Sequence, residues 1–104
     1  MRQWNRGFTM KVTVRLFETL KDIAGSGKIE VNLPEGTDIE SLLTKLSRDY
    51  GADLESFLID EKTKKARTYL QIIVDGKYTS FLERKNTTLK DGSVVTILPP
   101  IGGG

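Results

Sequence analysis

The end of the chain constrains it most. A run of strand formers, Val94-Val95-Thr96-Ile97-Leu98, leads directly into Pro99-Pro100 and then into Ile101-Gly102-Gly103-Gly104. Proline has no N–H to give to a β ladder, so a strand that reaches Pro99 has to stop. The three glycines lack a Cβ and admit nearly any backbone geometry, so packing gives them little to hold to. A folded body therefore hands over, through a stiff step, to a thin thread ending in a carboxylate. That shape suits threading a narrow channel into another protein's active site. On these six residues alone, a frayed glycine-rich end reads equally well.

The body upstream alternates between strand and helix patterns. From Met10 to Phe17, Val12, Val14 and Leu16 fall on one face, and Lys11, Thr13, Arg15 and Phe17 on the other. This predicts a half-buried strand whose polar face is broken by Phe17. Glu18 to Ala24 reads as a short helical turn closed by Gly25-Ser26-Gly27. Lys28 to Leu33 alternates again, with Ile29, Val31 and Leu33 inward, and Pro34-Glu35-Gly36 ends it.

Thr37 opens the main helix. Glu40 stands three residues on, the spacing of a capping box, and Asp38 adds negative charge at the helix start. Ile39, Leu42, Leu43, Leu46 and Tyr50 repeat at helical spacing, and Gly51 is placed to end the helix in a left-handed conformation. Leu54, Phe57, Leu58 and Ile59 predict a helical turn folding back on the core. The basic run 62–67 reads as a solvated loop rather than a phosphate site, because no aromatic platform accompanies it.

Tyr69 to Val74 is rich in strand formers, and Asp75-Gly76 signals a hairpin returning through Lys77-Tyr78-Thr79. Phe81 and Leu82 anchor an irregular stretch. Leu89 to Gly92 turns into the final strand, with Val95 and Ile97 inward and Val94, Thr96 and Leu98 outward. One helix against one face of a mixed sheet is an α+β design. The first and last strands read as central, and they run parallel if they pair.

At 104 residues this is one domain. Residues 1–9 show no periodicity and read as a poorly ordered leader, residues 10–98 as the folded body, and residues 99–104 as a flexible tail. The net charge of +2 is too small to imply a nucleic-acid or membrane partner, and Arg2 and Arg6 in the leader account for it. No run is apolar enough to span a membrane and no signal peptide opens the chain, so a cytoplasmic protein is expected. There is no cysteine and no histidine. That excludes a disulfide scaffold, a Cys/His metal site, a thiolate-held cluster and any triad built on those residues. Any covalent chemistry falls to a carboxylate, a lysine, a hydroxyl or a chain terminus.

Three blocks carry a resemblance. Val14 to Gly25 is similar to a strand–turn ending in a small residue and glycine. Ile72 to Lys77 is similar to a hairpin. Leu89 to Gly104 resembles a Leu-x-x-Gly-Asp-x-Val strand followed by Pro-Pro and a terminal Gly-Gly, and it is the specific one of the three. Together they resemble the β-grasp sulfur-carrier family, most of all the small subunit of molybdopterin synthase and the archaeal ubiquitin-like small modifiers. Ser93 stands where the family usually has aspartate, and Gly102 where it has a small side chain.

The resemblance implies a ubiquitin-like β-grasp fold, with a mixed sheet of about five strands and one main helix on one face. It implies a non-catalytic carrier that binds no metal and no cofactor of its own. An E1-like enzyme would use ATP to adenylate Gly104, a sulfur donor protein would convert it to a thiocarboxylate, and the large subunit of molybdopterin synthase would receive the sulfur. Gly103, Gly102, Pro100 and Pro99 would thread the tail. Phe17, Tyr78 and Leu98 would form the apolar docking patch. Thiamin or tRNA sulfur transfer would use a similar carrier. A modifier joined through Gly104 to lysines of other proteins is the alternative, and a plain β-grasp module binding RNA or protein a more distant one.

Overall fold

The computed structural model describes residues 9–17, 19–67 and 70–98, with the backbone alone at 81 and 85. Its elements in chain order are β1 (Thr9–Leu16), α1 (Thr19–Ala24), β2 (Lys28–Pro34), α2 (Ile39–Tyr50), α3 (Ala52–Leu58), β3 (Gln71–Val74), β4 (Lys77–Thr79), a 3-10 helix (Phe81–Asn86) and β5 (Val94–Leu98). Of the leader read as residues 1–9, residues 1–8 lie outside the described residues, and Thr9 instead pairs with Pro34 as the first residue of β1; the tail, Pro99 to Gly104, lies wholly outside them.

The five strands form one mixed sheet in the order β2-β1-β5-β3-β4. β1 and β5 are central and parallel, and every other pairing is antiparallel. The alternation sorts the faces as expected. Met10, Val12, Val14, Leu16, Ile29, Val31, Leu33, Ile72, Val95 and Ile97 are buried, and they join Ile39, Leu42, Leu43 and Leu46 of α2 in a single core. Leu54 and Leu58 of α3 close that core from the same side. A fully buried side chain of this size contributes roughly 1.5–3 kcal/mol, so the helix face of the sheet supplies most of the stability. This is the ubiquitin-like β-grasp arrangement.

Three local readings are corrected. The cap of α2 is Asp38 and not Thr37: Asp38 Oδ1 accepts from Ser41 N–H at 2.8 Å, while the Thr37 hydroxyl donates back to Pro34 O. Glu40 is therefore free of the capping box, and it accepts from Ala66 N–H at 3.0 Å. Gly51 has φ +91° with ψ 178°, an extended rather than helical left-handed turn, and it caps α2 while opening α3. The third strand pairs from Gln71, and Leu70, just ahead of it, is buried outside the ladder.

Candidate functional site

The side of the sheet away from the helices brings the predicted docking residues together. Register does this. Arg15 lies opposite Thr96, Thr96 opposite Ile73, and Ile73 opposite Tyr78, giving one row across four strands. The parallel pair Leu16–Ile97, continued one residue, sets Phe17 beside Leu98, with Gln71 opposite Leu98 on the far side. Side chains in the same row of neighbouring strands stand about 5 Å apart, within contact range. Tyr78 is 64% exposed and Phe17 37%, while Leu98 and Ile73 are half-buried. An antiparallel or mixed sheet left open to water normally carries polar residues there. Arg15 covers part of Phe17, its guanidinium carbon 5.5 Å from the ring centroid.

Ile73 was not singled out from the sequence, although it sits at the centre of the patch. The signal that would have found it is the strand pairing itself, because only the β5–β3 register puts Ile73 between Thr96 and Tyr78.

The turns fix where β5 begins and hence where it delivers the tail. Asp75 occupies a positive φ of 50° in the hairpin. Its Oδ1 accepts from Val94 N–H at 2.9 Å, its Oδ2 from the Ser93 hydroxyl at 3.2 Å, and its own N–H donates to Val94 O. Lys90 N–H donates to Ser93 Oγ, and Ser93 is buried. On the other side, Asp91 Oδ1 accepts from Lys11 N–H and Gly92 N–H donates to Lys11 O. The start of β5 is thus tied to both of its neighbours. Its far end is Leu98, the last residue before Pro99 in the sequence.

The chain ahead of β3 flanks that end, since Gln71 pairs with Leu98. It is held by Arg84, a residue 1% exposed on the 3-10 helix, which donates to Arg67 O at 2.7 Å and to Leu70 O at 2.8 Å. Burial pushes the Arg84 guanidinium down from its ordinary value, while the charge of Glu40 works the other way. Arginine stays protonated under such pressure. Nothing in the sequence pattern marked Arg84 as buried.

The basic run is a loop, as read, with two structural duties inside it. Ala66 is buried and pairs with Ile59, and Arg67 donates twice to Ser56 O on α3. A cleft of about 340 Å³ lies between α3 and this loop, lined by Glu55, Glu61, Lys64 and Arg67 among others. Its mixed charge selects no ligand class. Among the described residues no group of three or more Asp and Glu could hold a metal ion, and no helix is long and apolar enough to cross a membrane. The predicted threading residues Pro99, Pro100, Gly102 and Gly103, and Gly104 itself, lie outside the described residues.

Comparison with known proteins adds the following. The sequence model of the ThiS family matches residues 14–104. The chain is 24% identical over 95 residues to small archaeal modifier protein 3 of Haloferax volcanii, covering 91% of this chain and all of that one. It is 27% identical over 95 residues, with the same coverage, to a protein of Archaeoglobus fulgidus assigned as a sulfur carrier. A solved structure from Pyrococcus furiosus, assigned as molybdopterin converting factor subunit 1, superposes with a TM-score of 0.66 at 29% identity, covering 88% of this chain and 99% of that one.

Proposed function

The chain belongs to the ThiS family, and from that premise we propose that it is a non-catalytic sulfur carrier whose Gly104 is the working group. The family match running through residue 104 carries this reading, because it includes the Gly103-Gly104 pair. A carboxylate is a poor electrophile. On an E1-like enzyme, a carboxylate oxygen of Gly104 attacks the α-phosphorus of ATP and pyrophosphate leaves. Sulfur at the hydrosulfide level, delivered by a donor protein, then attacks the acyl carbon. A C–S bond forms, AMP leaves, and a thiocarboxylate remains.

This chain's own contribution is placement. β1 and β5 run in the same direction, so Phe17 and Leu98 lie at the end of the sheet from which the tail departs. A partner that grips the outer face through Phe17, Ile73, Tyr78 and Leu98 therefore holds the root of the tail. Pro99 and Pro100 have no N–H with which to extend the ladder, and the glycines carry no side chain that a narrow channel would have to admit. The Pyrococcus furiosus neighbour supports the large subunit of molybdopterin synthase as the destination. The Haloferax volcanii relative supports a second reading, in which the adenylated Gly104 is passed on to lysine amines of other proteins as an isopeptide.

Mass spectrometry after incubation with the cognate activating enzyme, ATP and a sulfur donor tests the proposal. The native chain is expected to exchange one oxygen for sulfur at Gly104, and a chain with an amidated terminus to remain unchanged. Failure of the native chain to load overturns the carrier reading. Recovery of Gly104 on lysine side chains in cell extracts establishes the modifier reading.

A further inference from the structure

The outer face is not uniform. Its β5-β3-β4 half carries no charge in the rows of Ile73 and Leu98 and holds the apolar patch, but its β1-β2 half carries an unbalanced pair of cations. Arg15 lies directly opposite Lys28 in the antiparallel ladder, and both are exposed on the same face. Like charges directly opposite one another destabilise a sheet. Elsewhere this ladder is balanced, for Lys11 stands 4.0 Å from Glu30. Among the described residues, neither Arg15 nor Lys28 has an ion-pair partner. The Arg15 guanidinium rests over Phe17, and the backbone of Lys28, though not its ammonium, is tied to the Ser26 hydroxyl through both its N–H and its C=O.

A fold-weakening pair, set by register next to the apolar patch and left without an ion-pair partner among the described residues, is explained if the counter-charge comes from outside. We propose that Arg15 and Lys28 form the charged flank of the docking face and meet carboxylates that border the Phe17 socket on the activating enzyme. This inference rests on the reading of the chain as a carrier or modifier, since activation is the step both share. The cations adjoin the apolar patch without a break, Arg15 touching Phe17 itself, so one partner covers both. Charges at the rim of such an interface act mainly on encounter rate and partner choice.

Lys28→Glu is the informative variant, because it turns the opposed cations into a cross-strand ion pair. The melting temperature is expected to hold or rise. Affinity for the cognate activating enzyme is expected to fall about tenfold at about 0.05 M salt, and the gap to close to within about twofold at about 0.5 M, where screening removes exposed-charge effects. Lys28→Thr, which removes one charge and adds none, is expected to lose about threefold at the lower salt. If the native chain binds and loads while Lys28→Glu binds equally well at low salt, the inference falls and the carrier reading stands. If the native chain neither binds nor loads, the carrier reading falls and takes this inference with it. Sedimentation showing a homodimer that Lys28→Glu dissociates also overturns it, since the occupant is then a second copy.

Discussion

The Ser93 hydroxyl donates to Asp75 Oδ2 at 3.2 Å, joining the turn before β5 to the β3–β4 hairpin. It makes the Ser93 departure from the family pattern intelligible. The side chain at this position receives Lys90 N–H, which an aspartate does equally well, but here it also faces a carboxylate that already serves Val94 N–H.

Ser93→Asp is therefore expected to destabilise this chain although it restores the family's residue. The new carboxylate keeps the Lys90 bond and meets Asp75 at hydrogen-bond range. The expected cost is about 1 kcal/mol, discounted for the exposure of Asp75. That corresponds to a melting temperature lower by roughly 4–8 °C. Two adjacent carboxylates raise the pKa of one of them. The cost is thus full at neutral pH and shrinks as the pH falls through that raised value and the pair takes up a proton. Thermal melts of the native chain and the variant across acidic and neutral pH decide the point; a pH-independent difference would contradict it.

Arg84→Ala is expected to loosen the segment beside the tail root. It leaves Arg67 O and Leu70 O without their charged donor and removes a fully buried side chain. Hydrogen bonds to charged groups of this kind contribute about 1.5–3 kcal/mol, so a loss of at least about 2 kcal/mol in denaturant unfolding is expected. Arg84→Lys should recover little, since one ammonium cannot reproduce a planar fork that spans two carbonyls. Hydrogen exchange at Leu70 and Ile72 should quicken in both variants ahead of exchange in α2.

Two carboxylates are expected to shape acid stability. The backbone N–H groups of Lys62 and Thr63 hold Asp60 below its ordinary pKa, with a smaller contribution from the Arg67 and Lys62 charges. The backbone N–H of Ser80, then its side chain, do the same for Glu83. A folded-state pKa below the unfolded one gives stability that is present above the unfolded value and lost as the pH falls through the folded value. Stability should therefore decline below the ordinary carboxylate range of about 4. The double variant Asp60→Asn, Glu83→Gln should show a shallower decline, and an unchanged acid slope would show that other carboxylates set it.

Most of the fold was readable because its signals are local. Burial of Val12, Val14 and Leu16, of Ile29, Val31 and Leu33, and of Val95 and Ile97 follows from period-two alternation; burial of Ile39, Leu42, Leu43 and Leu46 follows from helical spacing, while Tyr50, read with them, is exposed at the last turn of α2. The cap of α2 was misread, and the role of Arg84 missed, because each depends on a partner distant in sequence. Glu40 has the right spacing to cap with Thr37, and only the return of the chain at Ala66 offers it a better donor. Arg84 looks like a surface residue of a polar stretch, and only the carbonyls of Arg67 and Leu70, far away in sequence, make burial tolerable. Phe17 and Leu98 could be placed on the outer face from alternation, but their junction with Tyr78 through Ile73 needed the strand order.

Phe17→Glu and Leu98→Glu should separate docking from folding. Both side chains lie off the helix face of the sheet, Phe17 exposed and Leu98 half-buried, so neither fills the core that α2 closes. A melting temperature within a few degrees of native is expected, with the larger change at Leu98, which is the more covered of the two. Interfaces concentrate their energy in a few central apolar side chains, each costing roughly 1–4 kcal/mol when truncated. A charge in their place leaves a carboxylate facing an apolar socket, so binding to the activating enzyme should weaken at least about tenfold. Ile73→Glu, at the centre of the row, should do the same, while Asn32→Glu on the β2 edge should not. Calorimetry and thermal melts on the same preparations supply both readouts. Native-like binding by Ile73→Glu would remove the outer face as the dock, and collapse of Phe17→Glu would mean that this ring supports the fold.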